Sequence, residues 1–323
     1  MSEPEVSVIV PTRNRSQRLA VALRSALQQR GVDLEVVVVD DGSTDDTPAI
    51  ISDWSAQIDD DDLCVRFIRQ PNQGADVARN TAVDASSGEF IQFMDSDDIL
   101  HPAKLTECMA RFDSEEIDTV VCRHVAFRDI EEIRDALEAP PVHHPTRLDP
   151  ERRPFYARMG WELWEPVYRR TLIAATGPMR VGIRAGGTYE YTTRLKLTSR
   201  RRAYAPLVLV YYRRGATGAL TSLDASMRVP ATAQVMQYVF ESLSARNIRD
   251  RREWKHLLRK SVKAYRSAVA TNVSEGRALL LSIVRRAAWR WNPIAGAVFS
   301  SPEPLIRTIV KVSRAVKVAM GTR

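Results

Sequence analysis

Four short apolar runs in the first hundred residues each stop at a polar turn, and the first three are each followed by a stretch with helical character. VSVIV at 6–10 ends in PTRNR at 11–15, and an apolar stripe of Leu19, Val21, Leu23, Ala26 and Leu27 then runs between Ser16, a helix cap, and Gly31, a stop. A second run at 34–39 ends in Asp40 and Asp41, and Thr47-Pro48 opens the next helix. A third strand is predicted at Val65 to Ile68, a helix at Ala75 to Ala85 and a fourth strand at 90–94. Strand and helix in strict alternation dictate a mostly parallel, Rossmann-like sheet covered by helices on both faces.

Ligands of such sheets lie beyond the carboxyl ends of the strands, where this chain collects polar residues: Pro11 to Arg15, Asp40 to Ser43, Asn72 to Gly74 and Asp95 to Asp98. The last group is the most demanding. FIQFMDSDDIL at 90–100 runs a buried-strand pattern straight into Asp95, Asp97 and Asp98, and carboxylates so placed either hold something positive or form a solvated turn with a helix cap.

VSVIVPTRNR, VVVVDDGSTDDT, NQGADVARN and FIQFMDSDDILHP, in this order and spacing, resemble the nucleotide-diphospho-sugar domain of family 2 glycosyltransferases. The resemblance is strong over about residues 6–112 and fades toward 215. It implies an α/β A-type glycosyltransferase fold and an inverting, metal-dependent transfer of a sugar from a nucleotide diphosphate sugar to a glycan or lipid-linked acceptor. By the same resemblance Asp97 coordinates Mg²⁺ or Mn²⁺, and Asp95 faces the ribose or shares the metal through water. Asp98 stands behind them or caps the next helix. Asp40 and Asp41 accept from the base or ribose, Pro11 and Arg13 wall the base pocket, and Arg79 is the basic residue near the nucleotide. A hard cation suits this chemistry because it bridges diphosphate oxygens as they become a leaving group.

The chain divides, on this reading, into a nucleotide-sugar half (1–112), an acceptor half of the same domain (113–225) and a basic helical extension (226–323). The acceptor half departs from the family. Counting back from Arg194-Leu195 puts Gly187 and Thr188 where the family's acidic pair belongs, and a hydroxyl is no general base unaided. Glu190 is the nearest carboxylate and the candidate base, although two residues along a regular helix turn a side chain about 200° away. It would serve only if the helix starts late or the alignment with the family slips. Glu162 and Glu165, among Trp161, Trp164 and Tyr168, are alternatives, and the tryptophans read first as buried stripe. His143 and His144 read as loop residues and His101 as structural. The departure also admits a second function, a weak or inactive relative that binds nucleotide sugar as an interaction protein. Nucleotidyl transfer fits less well, since PTRNRSQ lacks a glycine-rich phosphate loop.

Charge is uneven. Residues 244–323 hold 18 Lys and Arg against 4 Asp and Glu, a surplus of 14 in a chain of net +7, so residues 1–243 carry −7. PLIRTIVKVSRAVKVAM places apolar residues on one side and Arg307, Lys311, Arg314 and Lys317 on the other, the pattern of an interfacial helix over 304–320 on an anionic membrane or of a helix packed against the body with its basic face in water. Nucleic acid is the weaker partner, because no recognised module accompanies the charge. Cys64, Cys108 and Cys122 form no C-x-x-C pair, and neither a signal peptide nor a membrane span is predicted. The expected location is the cytoplasm, at the inner face of the cell membrane if the tail binds lipid.

Overall fold

The computed structural model describes residues 4–57, 64–143, 162–183, 185–215, 224–248, 251–292, 296, 297, 299 and 300. They form two compact units. The first holds the described residues up to 143, 162–182 and 198–215, and the second holds 183, 185–197 and 224–300. His144, Trp161 and the 304–320 segment lie outside the described residues.

The first unit begins as the alternation predicts: β1 (Val6–Thr12), α1 (Ser16–Leu27), β2 (Leu34–Asp41), α2 (Thr47–Gln57), β3 (Cys64–Gln70), α3 (Ala75–Asp84) and β4 (Phe90–Phe93). The sheet is completed by β5 (Ile99–Leu100), then, after α4 (Lys104–Met109), by β6 (Ile117–Phe127), and, after α5 (Arg134–Glu138), by β7 (Val167–Arg169). Past α6 (Arg170–Thr176) and α7 (Gly187–Thr198), the last strand is β8 (Arg201–Arg213). Strand order is β3-β2-β1-β4-β7-β6-β8-β5. β1 to β4 pair in parallel, β7 runs antiparallel to both β4 and β6, and β6 pairs in parallel with β8. The carboxyl ends of β1, β2, β4, β6 and β8 therefore share one edge.

Apolar burial holds this unit. Val8, Val10, Val36, Val38, Val120 and Val167 are fully buried in the sheet under Leu19, Leu23 and Leu105. Each such side chain contributes about 1.5–3 kcal/mol. Trp164 joins this core, as the stripe reading expected. At the amino edge Glu35 is buried and accepts from Ser7 Oγ and from the Ser87 and Gly88 amides. Burial raises its proton affinity, but these donors outweigh burial and hold the carboxyl below its usual range. Gly88 is required there, since a Cβ would stand 2.6 Å from Ser7 Oγ and 2.7 Å from Ser7 N.

In the second unit α7 packs with α8 (Ala225–Ala245), α9 (Arg251–Ala270) and α10 (Arg277–Trp291). Trp254, Leu258, Val262 and Tyr265 of α9 recur at three or four residues and are buried against Val239 and Phe240 of α8 and Leu280 and Val284 of α10. Arg259, Lys263 and Arg266 occupy the exposed face. Among the described residues no helix is long and apolar enough to cross a membrane.

Candidate active site

The carboxyl edge of the sheet is assembled by loops that hold one another. Asn14, with φ 52°, donates its amide to Ser43 Oγ at 2.9 Å and accepts from the Thr44 amide at 2.8 Å, tying the loop after β1 to the loop after β2. Gly42 has φ 70°, and a Cβ there would meet Asn72 N at 2.8 Å, so only glycine lets the loops after β2 and β3 approach. Asp41 is buried and spends both oxygens on this junction. Its Oδ1 accepts from Gln70 Nε2 at 2.8 Å and the Gln73 amide at 2.9 Å, and its Oδ2 accepts from the Gly74 amide at 2.8 Å.

Asp40 differs from its neighbour. Oδ1 accepts from the Ser43 amide at 2.9 Å, while Oδ2 is buried without a hydrogen bond among the described residues, with Arg69 Nε at 3.5 Å. Thr12 Oγ1, opposite Asp40 in the β1–β2 register, is likewise buried and unsatisfied among the described residues. Pro11 is buried at the end of β1 and Arg13 is exposed beyond it. Buried acceptors and hydroxyls of this kind normally have partners. A ligand with hydrogen-bond donors of its own would supply them.

Beyond β4 the three aspartates meet a set of arginines. Arg79 of α3 is buried, with Nη2 at 2.7 Å from Asp95 Oδ1 and Nη1 at 3.1 Å from Asp76 Oδ1. Burial alone would lower its proton affinity, but Asp95 and Asp76 raise it on balance, so the guanidinium stays charged. Asp97 Oδ2 lies 3.6 Å from Arg15 Nε and 3.9 Å from Arg18 Nη1. Burial and then the charge of Asp95 nevertheless push the Asp97 carboxyl up. Asp98 is pushed well up by burial and by Asp95, although its Oδ1 accepts from the Arg213 amide at 2.9 Å. Its Oδ2 has no hydrogen bond among the described residues. Asp98 thus stands behind the other two and ties the loop to β8, and it caps no helix.

This donor set fits a hard divalent cation. The groups are carboxylate oxygens, and their mutual repulsion is what a cation relieves. Among the described residues no cluster of three or more His, Cys, Asp or Glu side chains encloses a metal ion by itself. Two carboxylates on an open loop suit an ion that completes its shell with phosphate oxygens and water.

The acceptor-side candidates are placed as follows. α7 starts at Gly187, so the late start that would favour Glu190 does not occur. Glu190 is 1% exposed and forms a two-pronged pair with Arg194, Oε1 to Nε at 2.8 Å and Oε2 to Nη2 at 3.1 Å. That carboxylate is committed to an arginine one turn away. Glu162 is exposed, whereas Glu165 is buried and its Oε1 lies 2.7 Å from His124 Nδ1. His101 is structural: its Nδ1 accepts from the Ala103 amide and its Nε2 pairs with the Ala139 carbonyl at 3.0 Å. Arg15, Arg18, Arg213 and His124 were not singled out by sequence, because their roles depend on contacts that no local motif carries. Only Arg15 lay within a motif, PTRNR.

The family model for glycosyl transferase family 2 matches residues 7–169. EpsH of Bacillus subtilis strain 168 is 30% identical over 217 residues, 66% of this chain and 62% of that protein. The GalNAc(5)-diNAcBac-PP-undecaprenol beta-1,3-glucosyltransferase of Campylobacter jejuni is 39% identical over 109 residues, 33% of this chain and 34% of that protein. The chain thus spans less than two thirds of the length of these relatives. In fold it is similar to S. aureus TarS 1–349, whose crystal structure is in complex with UDP-GlcNAc, at TM-score 0.71 and 18% identity over 98% of this chain and 92% of that one. The model match covers half of the sequence and includes every loop of the carboxyl edge up to Asp98: the chain belongs to glycosyl transferase family 2 and has the A-type glycosyltransferase fold.

Proposed function

We propose that the protein transfers a sugar from a nucleotide diphosphate sugar, with inversion, to a glycan or lipid-linked acceptor. The observation that carries this reading is the Asp95-Asp97 pair, two carboxylates crowded together after β4 on the same sheet edge as the unsatisfied Asp40 Oδ2. Asp40 and Thr12 supply the hydrogen bonds of the nucleoside, Pro11 and Arg13 bound its base, and Asp41 acts by ordering the 70–74 loop. Arg79 holds Asp95 in place. Asp97 and Asp95 hold Mg²⁺ or Mn²⁺, which when bound stabilises the charge that develops on the departing diphosphate. The relative that acts on an undecaprenol-linked glycan supports a lipid-linked acceptor, and the basic extension supports work at an anionic membrane. A binding-only role is favoured by one observation, the Glu190 carboxylate committed to Arg194 next to Gly187-Thr188.

The test is a thermal-shift screen of UDP- and GDP-sugars with and without Mn²⁺, followed by measurement of nucleoside diphosphate release. Metal-dependent stabilisation with release is expected. Stabilisation by none of the donors would refute the reading, and stabilisation without release would favour binding alone.

A further inference from the structure

Near the carboxyl end of β6 a buried carboxylate is devoted to an imidazole. Glu165 is 2% exposed, and its Oε1 lies 2.7 Å from Nδ1 of His124, whose side chain is 36% exposed. Every other polar part of Glu165 is fixed as well. Oε2 accepts from the Glu162 amide at 2.6 Å, and the carbonyl accepts from the buried Lys104 Nζ at 2.6 Å and from Cys122 Sγ at 3.0 Å. The Trp164 ring meets the imidazole edge-on at 4.7 Å and stacks on Tyr212 at 5.2 Å, which sets the plane of the imidazole. With Nδ1–H donated to Glu165, the neutral ring carries its lone pair on Nε2, and this nitrogen has no hydrogen bond among the described residues.

The dyad belongs to the same edge as the aspartates. Ala126, two residues beyond His124, is the register partner of Tyr212 on β8. Tyr212 lies 6.4 Å from the His124 ring, and its phenol is pushed up by burial and then by the charges of Asp98, Asp95, Asp97 and Glu162. The next residue, Arg213, donates to Asp98 Oδ1 and to the Asp97 carbonyl.

We propose that His124 is the general base of this enzyme and Glu165 its positioning residue, a role that rests on the glycosyl-transfer reading above. In the step, the acceptor hydroxyl gives its proton to Nε2 as its oxygen bonds to the anomeric carbon. The bond from that carbon to the diphosphate oxygen breaks, and its electron pair leaves with the nucleoside diphosphate. The proton then passes to water. Among the described residues the titratable groups that meet the imidazole are Glu165 from the segment before β7 and Tyr212 from β8, and the Glu165 carbonyl in turn accepts from Lys104 of α4 and Cys122 of β6.

The experiment follows UDP or GDP release from UDP-GlcNAc, UDP-glucose, UDP-galactose and GDP-mannose with Mn²⁺ between pH 5 and 9, with water as the acceptor. Wild type is compared with His124→Gln, His124→Ala and Glu165→Gln, and the nucleotide Kd is measured for each. His124→Gln should lower release about a hundredfold with Kd within twofold, and should abolish the acid limb of the pH profile. Added imidazole should restore part of the rate in His124→Ala, which a merely structural histidine would not allow. Glu165→Gln should displace the acid limb. Release by His124→Gln within threefold of wild type, with an unchanged profile, overturns the base while leaving glycosyl transfer standing. Wild type that binds nucleotide yet releases none is the binding-only outcome, which overturns the base and the transfer reading together. Failure of wild type to bind any nucleotide refutes the transfer reading, and the inference with it.

Discussion

Arg79 Nη2 stands 2.7 Å from Asp95 Oδ1, and the same guanidinium reaches Asp76 at 3.1 Å, so one buried cation on α3 fixes the first aspartate after β4. Removing it with Arg79→Leu takes a shared cation away from both carboxylates. The expected loss is about 2 kcal/mol, below that of a wholly buried pair because Asp95 is partly solvated. Urea unfolding should show the loss, and nucleotide titration should show weaker binding. Arg79→Lys should restore stability better than affinity, since an ammonium cannot reproduce the fork.

Gly42→Ala tests the junction of the loops after β2 and β3. Its positive φ and the 2.8 Å approach to Asn72 N both oppose a side chain. A destabilisation of about 1–3 kcal/mol is expected, together with weaker nucleotide binding as Asp40 and the 70–74 loop shift. Unchanged urea midpoint and affinity would show that the loops tolerate a Cβ.

Glu190 and Arg194 make a different prediction from a catalytic one. Glu190→Ala removes both hydrogen bonds between this carboxylate and the mostly buried Arg194 guanidinium and should cost about 3 kcal/mol in the second unit, read as a lower melting temperature. An unaltered melting temperature would show that the pair is dispensable to the fold.

His256 supplies a pH dependence. Burial, then Lys260, Lys196 and Arg259, lower its pKa from 6.5 to about 4. The folded state therefore resists a proton that the unfolded state accepts. The stability this group contributes is complete above pH 6.5, declines as pH falls and is gone near pH 4, a loss of about 3 kcal/mol. His256→Gln should remove that slope. A slope equal to wild type between pH 6.5 and 4 would assign the dependence to other groups.

The first half of the sheet was legible because each strand is an apolar run closed by a polar turn, as VSVIV-PTRNR shows. β7 was not: Val167–Arg169 is too short to announce itself, and its antiparallel insertion between β4 and β6 makes the sheet mixed. Asp95, Asp97 and Arg79 could be singled out from local motifs. The hydrogen bonds of Asp41 to Gln73 and Gly74 could not, since they arise from a loop that β3 brings alongside. His124 sits in VVCRHVAF with no neighbouring motif, and its partner Glu165 is 41 residues away, a distance that only the sheet closes.

Calorimetric titration of UDP and GDP into wild type and Asp97→Asn, with and without Mn²⁺, tests the central claim most directly. The account predicts that Mn²⁺ tightens binding of one nucleotide to wild type by tenfold or more, and that Asp97→Asn loses this gain while keeping its melting temperature or raising it, because a half-buried charge crowded by Asp95 is removed. Mn²⁺-dependent affinity equal in the two proteins, or no nucleotide binding by wild type, would contradict it.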